Sequence, residues 1–146
     1  MKIALPLDAQ LVLYKQNPFT APKFGIYLIE TTPKEVLVRL DAIMTNPMHA
    51  ILRQNFLEDQ IVCDCDEKAQ NCFNHICEHY SLLEVIGGCR YLLADNFCKN
   101  TCHTLKNGGV EVFKIPSIIK TAEMAIKNFL IGANLAKKIS HIRNLS

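Results

Sequence analysis

Six potential metal ligands lie close together between positions 63 and 79. They are four of the chain's seven cysteines and two of its five histidines: Cys63, Cys65, Cys72, His75, Cys77 and His79. Thiolate and imidazole groups at this density are typical of zinc sites and of iron–sulfur clusters. The segment therefore predicts a metal or metal-cluster site.

The way these ligands converge depends on where the helix that contains them begins. Apolar residues recur every three or four positions and predict a helix over about 70–86: Phe73, Ile76, Tyr80, Leu83 and Ile86. If the helix begins before Cys72, then Cys72, His75 and His79 share one face, and with the two preceding cysteines they suit zinc or a mixed-ligand cluster. If it begins after Cys72, the four cysteines converge, which suits an iron–sulfur cluster. In a third interpretation, Cys77 is a core thiol and the others are ordinary loop residues.

A second group of chemically active residues follows at Cys98, Cys102 and His103. Cys98 and Cys102 share a face of a predicted helix, and Cys98 lies near its N-terminus, where the helix dipole favours a thiolate. We expect both cysteines to bind the cofactor, in the same metal centre or in a second one; the alternative is that both are small buried residues. His103 points about 140° away from Cys98 on the helix, which disfavours a thiol–base pair. Cys89 is expected to be buried and inert.

The composition favours one globular domain in a reducing compartment. The chain has 146 residues, of which 49% are hydrophobic and 21% charged, and its net charge of +2 gives no reason to expect a nucleic-acid partner. No secretory signal is recognisable, and no apolar run approaches the roughly 18 residues of a membrane span. We therefore expect a cytoplasmic protein without a membrane partner, whose odd number of cysteines serve metal ligation or remain free thiols.

The elements that position these residues are five strands and several helices. Period-two or β-branched runs predict strands at Met1–Leu7, Phe24–Thr31, Glu35–Met44, Cys89–Ala94 and Val110–Ile115. Besides the helix over about 70–86, helical spacing predicts helices at Met48–Leu57, at Phe97–Asn107, from Pro116-Ser117 to about Ile131, and a last piece that includes Leu135, Ile139 and Ile142.

The order of these elements indicates the fold class. The short turn Thr32–Lys34 joins two strands that should form an antiparallel hairpin. The later strands alternate with helices, which predicts parallel pairing. We therefore expect an α/β fold with a mixed sheet, antiparallel at one edge and parallel at the other, and helices packed on its faces.

Several stretches of the chain, taken together, resemble the dinitrogenase iron–molybdenum cofactor biosynthesis (NifX-like) family. They are the opening M-K-I-A-L-P-L-D, the F-G of Phe24-Gly25 before a strand, Asn100 early in a helix followed by L-K-x-G-G-V-E-V-F at Leu105–Phe113, and the closing helix at Thr121–Gly132. The chain departs from the family pattern in having Lys23 where members often have histidine, and Asp95-Asn96-Phe97-Cys98 where they have a glycine-rich loop. The segment from Cys63 to His79 is not typical of the family either.

The resemblance implies a ribonuclease-H-like motif without a nuclease site, with a five-stranded sheet in the order 3-2-1-4-5 and helices on both faces. It also implies binding of iron–sulfur-based cofactors. We therefore expect non-enzymatic binding or carriage of an iron–sulfur cluster, an iron–molybdenum-type cofactor or a metal ion, with a metallocofactor assembly or acceptor protein as partner. Two alternatives are a protein-interaction domain with a structural zinc and a thiol-dependent redox protein.

The expected boundary of the cofactor-binding domain lies near the end of the closing helix. We assign residues 1–132 to this domain and residues 133–146 to a basic C-terminal tail or helix. Residues 114–146 carry six lysines and arginines but a single acidic residue, Glu123, which is typical of a solvated helix face or of a surface that meets an acidic partner.

Overall fold

The first strand lies in the middle of the sheet because its residues are apolar on both faces. The computed structural model describes residues 1–49, 78–133 and 142–145. In it, every residue of β1 (Lys2–Leu7) after Lys2 is buried. β1 pairs antiparallel with β2 (Lys23–Thr31) and parallel with β4 (Tyr91–Ala94). Its carboxyl end therefore lies beside the carboxyl end of β4, and the loops that follow these two strands meet there.

The predicted hairpin is present. β2 pairs antiparallel with β3 (Val36–Thr45), and the ladder closes with Thr31 opposite Val36. In the connecting turn, the Thr32 backbone N–H donates to the Glu35 carbonyl at 2.9 Å, and the Thr32 hydroxyl donates to the same oxygen at 3.0 Å. A threonine side chain that bonds its own turn in this way favours the reversal of the chain.

The remaining strands follow the predicted βα pattern. The short helix α1 (Leu82–Ile86) precedes β4, and α2 (Lys99–Asn107) connects β4 to the parallel strand β5 (Glu111–Lys114). The sheet order is β5-β4-β1-β2-β3-β6. The mixed α/β sheet with the order 3-2-1-4-5 for the first five strands is therefore confirmed, and a sixth strand extends it beside β3.

Two apolar cores lie on opposite faces of the sheet. Alternate residues of β1 point to each: Ile3 and Leu5 pack with Phe129 of α3 (Ala122–Gly132), whereas Ala4 packs with residues of α1 and α2. The Phe129 ring makes an edge-to-face contact with Phe113, with centroids 5.1 Å apart. Helices cover both faces, and none of those in the described ranges is long and apolar enough to cross a membrane.

The C-terminal part of the chain differs from its prediction. The prediction of a helical piece that includes Ile142 is wrong, because Ile142–Leu145 forms β6 and pairs in parallel with β3 from Val36 to Arg39. An edge strand offers a row of unpaired backbone donors and acceptors, and this pairing outweighs a helical spacing supported by three apolar residues. Residues 134–141 lie outside the described part of the chain.

The predicted helices that flank the first metal-ligand group also differ in part. Glu78 and His79 are helical, but a turn at Tyr80-Ser81 separates them from α1. There the Ser81 N–H donates to the Glu78 carbonyl and the Leu83 N–H to the Tyr80 carbonyl, each at 3.1 Å, so the bonds span three residues instead of four. The prediction of one unbroken helix from about residue 70 to Ile86 is therefore wrong. Residues 50–77, with most of the helix predicted at Met48–Leu57, lie outside the described ranges.

One lysine ties together the loops at the carboxyl ends of β1, β4 and β5. Lys15 Nζ lies 3.1 Å from Asp95 Oδ2 and donates to the backbone carbonyls of Ser117, at 3.0 Å, and Ile119. The Ser117 hydroxyl donates to the other Asp95 oxygen at 3.0 Å. This network fixes the rim of the crevice between the strand ends.

We expect Lys15→Met to lower the free energy of unfolding by about 2 kcal/mol, because it removes hydrogen bonds from a charged donor and leaves the Asp95 carboxylate without its cation. The Asp95 side chain is only 12% exposed. Urea unfolding provides the measurement. Lys2→Met is the matched control: its ion pair with Asp41 is far more exposed, so we expect a loss below about 1 kcal/mol. Equal losses of unfolding free energy in Lys15→Met and Lys2→Met would contradict the larger stabilisation expected from the Lys15–Asp95 network.

Candidate functional site

Cys98 lies where the sequence predicts it, at the start of the helix that follows β4. It is the N-cap residue of α2, with an extended backbone, and its sulfur accepts a hydrogen bond from the Thr101 backbone N–H at 3.4 Å. The thiol is partly exposed. It therefore combines a helix N-terminus, which stabilises negative charge on sulfur, with access from outside.

His79 is placed directly beside this thiol. Its side chain is fully buried, and its Nε2 atom lies 3.4 Å from Cys98 Sγ. The imidazole ring stacks on the Phe19 ring, with centroids 4.1 Å apart and planes 14° from parallel. Phe19 belongs to a short 3-10 helix (Pro18–Thr20) in the loop after β1. The two residues were predicted in separate groups, 19 positions apart in the sequence, and the fold brings them together.

Two further side chains, Thr101 and Asn17, lie around the pair in the described residues, and neither was predicted. The Thr101 hydroxyl lies 3.2 Å from Cys98 Sγ and donates to Asn17 Oδ1 at 3.0 Å. Asn17 Oδ1 also accepts from the Phe19 backbone N–H at 3.3 Å, which makes Asn17 the N-cap of the 3-10 helix. The Asn17-Pro18 dipeptide is a recognisable helix-start signal, and Thr101 lies at the third helical position after Cys98, where capping contacts form. These signals indicate helix starts, but they do not indicate a site.

The other residues that the sequence indicates divide into two sets. Cys102, a predicted ligand, is partly exposed and one helical turn beyond Cys98, and His103, which is not among the predicted ligands, is exposed. Five predicted metal ligands lie outside the described residues: Cys63, Cys65, Cys72, His75 and Cys77. Within the described ranges, no group of three or more histidine, cysteine or acidic side chains is placed to hold a metal ion. The described part of the site is therefore the pair formed by His79 and Cys98.

The separation of these two atoms is close to that of two ligands of one metal ion, and it is also an ordinary hydrogen-bond distance. Zinc binds imidazole nitrogen at about 2.0 Å and thiolate sulfur at about 2.3 Å in a tetrahedral arrangement, which places the two donor atoms about 3.5 Å apart. The observed separation of Nε2 and Sγ is 3.4 Å. The pair is also suited to hydrogen bonding between imidazole and thiol, which is the arrangement of an activated thiol nucleophile.

Cys89 has none of these features. It lies just before β4, only 5% exposed, among the apolar residues of the core beneath α1 and α2. Burial raises the pKa of its thiol from 9.0 to about 11, and the Lys2 ammonium offsets part of that rise. The predicted burial of Cys89 is confirmed, and the raised pKa makes its thiol a poor nucleophile near neutral pH.

We expect the stability of the protein to fall as the pH rises from about 9 to 11, because the unfolded thiol loses its proton before the folded one. A raised pKa in the folded state stabilises the fold at pH values below 9, and the rise from 9.0 to about 11 corresponds to roughly 2–3 kcal/mol. Urea unfolding of the wild type and of Cys89→Ala across this pH range gives the measurement. Burial also raises the pKa of Tyr14 and Tyr27, and their contribution cancels in the comparison. Parallel pH profiles for the two proteins would contradict the prediction.

Comparisons with known proteins find similarity to solved structures. The chain matches no family model and no curated protein. Among solved structures, it is similar to the crystal structure of PH0822, with a TM-score of 0.49, 11% sequence identity and coverage of 91% of this chain and 92% of that one. It is also similar to the NMR structure of a NifB-like protein of the DUF35 family from Thermotoga (TM1290), with a TM-score of 0.47, 23% identity and coverage of 90% and 88%.

Proposed function

We propose that the protein binds a metal ion or an iron–sulfur species and carries it in a non-enzymatic role, with His79 and Cys98 as two of the ligands. The observation that supports this proposal most strongly is the 3.4 Å separation of His79 Nε2 and Cys98 Sγ at the carboxyl ends of β1 and β4. In open α/β sheets, ligands bind in the crevice at this end of the strands. The pair supplies one soft and one borderline donor there.

The surroundings of the pair favour ligation. Phe19 covers one face of the imidazole ring and holds its plane, so that little side-chain entropy remains to be lost when Nε2 binds a metal. The Thr101 N–H points at the sulfur and stabilises a thiolate. A site with an orienting contact for each ligand is typical of metal centres.

The sequence contains candidates for the remaining ligands of the metal. Cys77 and His75 precede His79 by two and four positions, and Cys63, Cys65 and Cys72 lie further upstream. We propose that some of them, with or without Cys102, complete the coordination of the metal. The resemblance to NifX-like proteins supports an iron–sulfur or iron–molybdenum-type cofactor that is exchanged with an assembly or acceptor protein. Zinc in a purely structural role is the alternative.

Anaerobic purification followed by metal analysis and a visible absorption spectrum tests the proposal. We expect iron and acid-labile sulfide, with broad visible absorption that disappears on exposure to air. A colourless protein with one stoichiometric zinc would exclude cluster carriage and support the structural-zinc alternative. A protein that contains no metal, and takes up neither iron nor zinc when reconstituted, would exclude both.

A second candidate function rests on the same contact. A partly exposed cysteine at a helix N-terminus beside an imidazole nitrogen is the arrangement of a reactive thiol. If thiol-dependent redox chemistry is the function, iodoacetamide alkylates Cys98 rapidly near neutral pH in metal-free protein, and His79→Gln slows the reaction. A Cys98 thiol that stays unreactive under these conditions excludes this function.

A further inference from the structure

The contacts around Cys98 and His79 form a closed circuit through Asn17. Starting from the sulfur, Cys98 contacts the Thr101 hydroxyl at 3.2 Å, which donates to Asn17 Oδ1 at 3.0 Å. The same oxygen accepts the backbone N–H of Phe19, whose ring stacks on His79. His79 Nε2 lies 3.4 Å from the sulfur and closes the circuit. Asn17 Oδ1 thus contacts both Thr101, whose hydroxyl contacts the thiol, and the backbone of Phe19, whose ring orients the imidazole.

We infer that Asn17 is a positioning residue that sets both the geometry of the pair and the strength of the sulfur as a donor to metal. This inference deepens the proposed function and rests on it. Asn17 itself does not touch the sulfur in any contact of the described residues, so it acts through Thr101 and Phe19. It lies in the loop after β1 and connects that loop to α2 through the hydrogen bond from Thr101.

The orientation of the Asn17 side chain is fixed by its partners. Only its carbonyl oxygen can accept the Phe19 N–H, so Oδ1, and not the amide nitrogen, is the atom that faces Thr101. A threonine hydroxyl has a single proton. Because Thr101 donates that proton to Asn17, it presents lone pairs, and not the proton, to the sulfur of Cys98.

This arrangement has a consequence for the electronic properties of the thiolate. A hydrogen bond from a hydroxyl to a metal-bound sulfur stabilises its lone pairs and weakens its donation to the metal, and such bonds tune metal–sulfur sites. Asn17 competes for the Thr101 proton and keeps it away from the sulfur. Loss of the Asn17 side chain releases the proton to bond the sulfur, and loss of the Thr101 hydroxyl removes the proton altogether. Only the loss of Asn17 is therefore expected to shift the sulfur-to-metal absorption band.

Cobalt(II) binding to the metal-free protein tests the inference. We expect Asn17→Ala to shift the sulfur-to-cobalt charge-transfer band to higher energy and to lower the cobalt affinity by about 10-fold to 100-fold. Thr101→Val should show no such shift, and the double variant Asn17→Ala/Thr101→Val should lose the shift. Asn17→Asp keeps an acceptor oxygen and should restore the wild-type band. Thr104→Val removes another buried hydroxyl from α2 and serves as the matched control, with a wild-type band and affinity.

The outcomes separate this inference from the proposed function. If the wild type binds cobalt but Asn17→Ala has an unchanged band, or if the shift persists in the double variant, the inference is wrong and the proposed function stands. If the wild type binds no cobalt and takes up neither iron nor zinc on reconstitution, the proposed function fails, and the ¹⁵N resonance of His79 Nε2 in the metal-free protein decides. A change in that resonance in Asn17→Ala but not in Thr104→Val supports the positioning role, and an unchanged resonance overturns it. Circular dichroism verifies that each variant is folded.

Discussion

Replacing Cys98 by serine is expected to lower the affinity for a soft divalent metal ion by more than about 100-fold. Serine is close to cysteine in size and remains a good N-cap residue, so α2 should keep its start and the fold its stability. The change removes the thiolate, which is a far better ligand for zinc, cobalt or iron than a neutral hydroxyl. A change of an outer contact typically costs 10-fold to 100-fold in affinity, and loss of a direct ligand should cost at least the upper end of that range.

The measurement is a cobalt or zinc titration of the reduced protein with a competing chelator. His79→Gln should give a loss of similar size, because both atoms are assigned to the same metal. His103→Gln is the control: it removes an exposed imidazole from α2, the helix that Cys98 caps, and we expect no change in metal affinity. If Cys98→Ser and His79→Gln retain the wild-type affinity while both proteins are folded, the pair does not bind the metal.

The sheet could be predicted from the sequence because local patterns and chain topology determine most of it. The opening strand is an apolar run typical of a buried strand. The next two strands are joined by a turn of a few residues, and short turns of this kind enforce antiparallel neighbours. The later strands are separated by helices, which enforces parallel pairing. β6 could not be predicted in the same way, because its pairing with β3 depends on an open sheet edge and not on its own sequence.

The sequence predicted individual residues of the site but not which of them lie in contact. The place of Cys98 followed from the order of strand, short loop and helix. The contact with His79 did not follow, because it depends on the turn at Tyr80-Ser81 and on the Phe19 ring, which comes from a loop 60 residues away in the sequence. Asn17 was missed since asparagine before proline is common in loops, and only the structure shows that its oxygen also meets Thr101.

Replacing both Cys63 and Cys65 by serine is the second change with a large expected effect. We expect this double variant to lose metal binding while the sheet stays folded, because these residues are predicted ligands and a serine hydroxyl cannot replace a thiolate at a soft metal. Metal analysis, together with urea unfolding of the metal-free protein, provides the measurement. Unchanged metal content would show that the predicted site does not use these two cysteines.

Comparison of this variant with Cys98→Ser also determines whether the two thiol groups share one metal. If they form a single centre, each change removes ligands from the same ion, and both variants fall from the wild-type stoichiometry to none. If there are two centres, each variant keeps the metal that the other loses, and their stoichiometries add up to that of the wild type. The contact between His79 and Cys98 favours the first result. His79 belongs by sequence to the segment that begins at Cys63, yet its Nε2 atom lies beside the thiol that follows β4, so a metal bound there joins the two groups.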